Sequence, residues 1–105
     1  MQQKGENMNE VKYVLSGTWL SLKNGEINMT KPVLFQDKKA AEAVLRQTYD
    51  HFREQVFHVP DAIADENGDS IEGGYCGQDE ACIYANAEFA CDCLVQVACF
   101  VITEM

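Results

Sequence analysis

A chain of 105 residues suits one domain with a single modest core. With 47% hydrophobic and 24% charged residues it has an ordinary globular composition, which excludes a fibrous or low-complexity protein. The net charge of −9 is unevenly spread: all eight Lys and Arg lie at or before Arg53, and residues 59–105 carry carboxylates with no Lys or Arg, which argues against direct contact with nucleic acid.

Met1–Glu10 is polar and aperiodic and is expected to be a disordered tail; the domain begins near Val11 and runs to residue 105. It shows no secretory signal, so the five cysteines (Cys76, Cys82, Cys91, Cys93, Cys99), an odd number, are expected to be reduced in a cytoplasmic protein. No apolar run reaches the roughly 18 residues of a membrane helix, so no membrane contact is expected.

Val11 to about Phe35 reads as a β-hairpin closed by Asn24-Gly25, a pair suited to the positive φ of a two-residue turn. Closure there pairs Lys23 with Glu26, Leu22 with Ile27, and Leu20 with Met29. One face then holds Leu20, Leu22, Ile27 and Met29, and the other holds Trp19. An apolar phase change near Ser16-Gly17 suggests a bulge, and Pro32 places the second strand at an edge. Asp37 is a natural N-cap for a helix from about Lys38 to Phe57, with Ala41, Val44, Leu45, Thr48, Phe52 and Val56 as its apolar stripe. Lys38, Lys39, Glu42, Arg46, Gln47, Asp50, Arg53 and Glu54 are expected in water.

Pro60 to about Glu80 is a long acidic, glycine-bearing connection. Ala81–Ala87 is a short strand, and residues 91–103 form a long one. In that long strand Cys91, Cys93, Val95, Val97, Cys99 and Val101 share one wholly apolar face, which the helix is expected to cover. Leu94, Ala98, Phe100 and Ile102 share the other, which is left open. The fold class is therefore α+β: a ββαββ antiparallel four-stranded sheet with one helix packed on one face, and 2-1-4-3 as the expected strand order.

Asp65-Glu66-Asn67-Gly68-Asp69 looks like a calcium loop, but with Gly68 as the required glycine the end positions fall on Ile63 and Gly74, which excludes an EF-hand. The cysteines lack paired zinc spacings, and His51 and His58 lie about 10 Å apart along a helix. Cys76, among Gly73, Gly74 and Gly77, is the one thiol expected to be accessible, and the core-facing thiols are expected to be inert. No spacing singles out an acid and a base. The expectation is no enzyme, no cofactor and no metal.

An open apolar patch marks an interaction surface, and Trp19, Leu94, Phe100 and Ile102 are its expected members. The acidic contact residues are Asp61, Asp65, Glu66, Asp69, Glu72, Asp79 and Glu80, extended by Glu88 and Asp92. Carboxylates on a rigid scaffold compete with phosphates for Lys and Arg. In size, acidity and lack of a catalytic signature the chain resembles phage-encoded inhibitors of bacterial defence, anti-CRISPR and anti-restriction proteins among them. That resemblance implies a protein partner with a basic, nucleic-acid-binding surface. The alternatives are a homodimerising module that uses the apolar patch, and a metal-binding protein that uses Cys76, Cys82 and a histidine.

Overall fold

The computed structural model describes residues 10–105, so most of the expected N-terminal tail, residues 1–9, lies outside the described residues. The fold is α+β, with one antiparallel sheet and one long helix. The strands are β1 (Tyr13–Leu20), β2 (Ile27–Met29), β3 (Val33–Phe35), β4 (Gly73–Cys76), β5 (Glu80–Ala87) and β6 (Cys93–Glu104). The helix α1 spans Lys38–His51 and continues as a π-helical turn, Phe52–Phe57. The four-stranded description is thus corrected to six strands.

The sheet order is β2-β1-β6-β5-β4, with β3 also on β1. Strands β2 and β3 are two halves of one edge strand. Thr18 faces Met29, but Leu15 faces Val33, so the Thr30–Pro32 stretch holds one residue more than the β1 stretch it opposes. Proline cannot donate to a ladder, which explains the break at an edge. The long strand β6 lies centrally, between β1 and β5, as the 2-1-4-3 order requires.

The hairpin turn is longer than its sequence suggests. Leu20, not Leu22, faces Ile27, and the amide of Gly25 (φ 74°) donates to the Ser21 carbonyl. The slip is of two residues, so Leu20, Ile27 and Met29 still share one face and Trp19 lies on the other, while Leu22 leaves the strand for the turn and packs on the core. An irregularity does fall at Ser16-Gly17, but the extra residue is on the partner, in Thr30–Pro32; β1 itself pairs with β6 in one unbroken register from Tyr13 to Trp19. Gly17 interrupts the apolar pattern there because a Cβ would lie 2.3 Å from the Phe100 ring.

A second irregularity, a bulge, is in β6. Ile83 faces Ala98 and Tyr84 faces Gln96, which leaves Val97 without a partner. One extra residue reverses the alternation. Val95 and Val97 face the helix before the bulge, and Ala98, Phe100 and Ile102 face it after. Cys99 and Val101, expected under the helix, are turned to the other side. Phe100 is 1% exposed and stacks on Phe52 with ring centroids 5.1 Å apart. Trp19 packs on Phe52 from β1, with centroids 5.6 Å apart.

Asp37 caps α1 as expected, accepting from the Lys39 amide. Ala41, Leu45 and Tyr49 are its buried residues. The wider π turn shifts the stripe by one position, so Phe57 is buried where Val56 was expected, and Val56 is exposed. Arg53 is not in water: its side chain is 13% exposed and its guanidinium donates to the Val59 carbonyl. Strand β4 lies inside the stretch read as a connection. Its glycines let it pack closely, because a Cβ on Gly74 would lie 2.8 Å from the Tyr49 ring and one on Gly73 would strike the Ala62 carbonyl.

Candidate functional site

The helix covers one face of the sheet. On the other, alternation places Ile27 and Met29 of β2, Leu34 of β3, Val14, Ser16 and Thr18 of β1, Cys99 and Val101 of β6, Cys82 of β5 and Tyr75 of β4. Ile27, Met29 and Leu34 are 67%, 78% and 58% exposed, unusually high for large apolar strand residues. A shallow depression of about 300 Å³ lies among Ser16, Thr18, Met29, Pro32, Cys99 and Val101. Among the described residues, Glu80 is the only charged one at a strand position on this face. The hairpin that follows Pro60 lies at the far end, where Ile63 and Ile71 line a small cavity together with Tyr84 and Leu94.

Of the expected apolar contacts, Leu94 alone is on this face, half-buried beneath that hairpin. Trp19, Phe100 and Ile102 belong to the core on the helix side, for the bulge inverts their placement. An open apolar face was expected, but the bulge gives it different residues.

The nine named carboxylates do not form one patch. Asp61 accepts a short bond from the Tyr49 hydroxyl, 2.5 Å, and pairs with Arg46 at 3.1 Å. The Tyr49 hydroxyl, first, and Arg46 hold the Asp61 carboxyl below the usual aspartate value. Asp65 caps its own loop, accepting from the amides of Asn67 and Asp69 at 2.9 Å each. Glu72 accepts from the Asn86 amide, and Asp79 pairs with Lys38. Asp61, Asp65 and Glu72 are thus engaged within the fold, while the Asp79–Lys38 pair is exposed to solvent. Glu66, Asp69, Glu88 and Asp92 are exposed, and no side-chain hydrogen bond holds them among the described residues. Glu88 and Asp92 flank the β5–β6 turn, roughly 25 Å along β5 from Asp79 and Glu80.

The cysteines also differ from expectation. Cys91 and Cys93 are exposed in and after the turn, with Cys91 at φ 58° and Asp92 at φ 60°. Cys76 faces the core side of β4, so it does not meet Cys82, and burial pushes its thiol pKa up. His51 and His58 are both exposed.

Cys82 meets Cys99 instead. The two stand directly opposite on β5 and β6, with their sulfurs 3.4 Å apart. A Glu80 oxygen is 3.4 Å from the Cys82 sulfur, and the Tyr75 hydroxyl donates to that sulfur at 3.6 Å. Burial pushes the Cys82 thiol up to about 12, so it is protonated in this arrangement. Bonding to Cys82, then burial, likewise raises the Tyr75 hydroxyl. No spacing in the sequence marks Cys82 and Cys99, which lie 17 positions apart and meet only through strand register.

Among the described residues no helix is long and apolar enough to cross a membrane. Compared with known proteins, the chain matches no family model, no curated sequence and no solved structure, so its site is read from its own residues.

Proposed function

We propose that this protein is a non-enzymatic binding module that docks on a basic protein surface through the open face of its sheet. The observation that carries the reading is the exposure of Ile27, Met29 and Leu34 on a strand face that bears one charged residue. Burying each such side chain contributes roughly 1.5–3 kcal/mol. The net charge of −9 opposes pairing with a second copy and favours a partner of opposite sign. Of the nine acidic contact residues, Glu66, Asp69, Glu88 and Asp92 make no side-chain hydrogen bond among the described residues and are available for that attraction. A nucleic-acid-handling complex is the proposed partner class, because its Lys and Arg surfaces attract carboxylates as they do phosphates, as in phage-encoded inhibitors of bacterial defence.

The test is capture of partners from a bacterial lysate at low and high salt, with Met29→Glu and Leu34→Glu beside the wild type, and sedimentation of each protein alone. Loss of a nucleic-acid-handling complex in both variants, with circular dichroism unchanged, supports the reading. Capture that ignores both substitutions refutes it. A wild-type dimer that Met29→Glu dissolves would assign the face to self-association instead.

A further inference from the structure

We propose that Glu80, Cys82 and Cys99 bind a thiophilic divalent cation of the zinc class on the open face of the sheet. This goes beyond the binding role and does not depend on it. Glu80 and Cys82 are two residues apart on β5 and share a face, and Cys99 stands opposite Cys82 on β6. The ligand atoms come from two paired strands of the sheet interior, so their spacing is set by the ladder rather than by a loop.

The three donor atoms lie within 4.8 Å of one another, and among the described residues no other such group of His, Cys, Asp or Glu occurs. A tetrahedral zinc ion with Zn–S of about 2.3 Å and Zn–O of about 2.0 Å needs an S···S edge of about 3.8 Å and an S···O edge of about 3.5 Å. Both observed separations from the Cys82 sulfur are 3.4 Å, within a few tenths of an ångström of those edges, and the remaining Glu80–Cys99 edge, at most 4.8 Å, closes by rotation of the Glu80 side chain. Two thiolates with a carboxylate suit zinc and exclude the hard cations magnesium and calcium. The Tyr75 hydroxyl on the Cys82 sulfur supplies the outer hydrogen bond that orients such a ligand and stabilises its thiolate. Binding displaces the thiol protons of Cys82 and Cys99 to solvent. Three protein donors leave a fourth position for water or a donor from a docked protein. A disulfide is the competing outcome for this pair, and it would require the sulfurs to close from 3.4 Å to about 2.05 Å.

The experiment uses the full chain with Cys76, Cys91 and Cys93 replaced by Ser, so that the exposed thiols cannot bind metal. Reduced, chelator-stripped protein is titrated with zinc against a chromophoric indicator and, separately, with cobalt(II). The expected result is one zinc per chain at micromolar protein, with thiolate-to-metal charge transfer and tetrahedral bands for cobalt. Cys99→Ser should abolish binding. Glu80→Gln should weaken it at least roughly tenfold, the lower limit seen when even an outer-shell partner is lost. Circular dichroism checks that both variants fold. Failure to take up zinc, uptake unchanged by Cys99→Ser, or oxidation of the pair to a disulfide in the presence of zinc would overturn the proposal.

Discussion

Tyr49→Phe isolates the bond that ties the post-helical chain to the core. The ring is wholly buried, lies 5.3 and 5.6 Å from the guanidiniums of Arg46 and Arg53, and would be kept by phenylalanine. Only the hydroxyl donated to Asp61 is lost. A hydrogen bond to a charged group contributes about 1.5–3 kcal/mol, and the Asp61 side chain is 44% exposed. Screening by solvent therefore sets the expected loss at about 1–2 kcal/mol. In urea unfolding at pH 7 that lowers the midpoint by roughly 0.5–1 M with an unchanged slope. The pH dependence has a definite sign. The Asp61 carboxyl is held below the ordinary aspartate value of 3.8, so its contribution is complete above that value and disappears as pH falls through the depressed folded value. The deficit of Tyr49→Phe should thus be full at pH 7 and shrink in the acid limb below pH 3.8. A deficit under about 0.5 kcal/mol at pH 7, the range of neutral surface changes, or one that persists undiminished in strong acid, would refute this account of the bond.

Two further substitutions probe the packing. Phe100→Ala should destabilise by about 3–5 kcal/mol, whereas its neighbour Val101→Ala, on the open face, should cost well under half of that. Comparable losses in thermal unfolding would mean that Val97 does not reverse the alternation. Gly74→Ala should cost about 1–3 kcal/mol by pressing a methyl into Tyr49 and the Cys82 carbonyl. A melting temperature equal to that of the wild type would show that β4 sits further from the helix.

Much of the scaffold was legible because it depends on local chemistry. The Asp37 cap, the helix, the edge role of Pro32 and the central long strand each follow from nearby residues. The sides of the sheet were not legible, and one residue explains why. Val97 and Ala98 are both apolar and both buried, so no contrast in the sequence marks the point where alternation reverses. Reading a straight strand then puts Phe100 and Ile102 outside and Cys99 and Val101 inside, and moves Trp19 with them. Strand β4 was hidden for another reason. Gly73-Gly74 reads as a turn, yet the missing side chains serve contact with Tyr49 and Ala62. Partnerships such as Tyr49 with Asp61 and Cys82 with Cys99 depend on tertiary placement and register, which no local pattern encodes.

The two borders of the sheet have a consequence for how chains can join. On one side Pro32 and an extra residue break the ladder between β2 and β3, so no long row of free amides is offered there. On the other, the Gly74 amide is taken by the Pro60 carbonyl, and the chain after Pro60 runs along β4. A neighbour can therefore lie flat against the apolar side, whereas adding a further strand meets an interrupted ladder on one border and an engaged Gly74 amide on the other. Contacts on this molecule are stacked rather than spliced, which lets an exposed greasy surface exist without seeding cross-β growth.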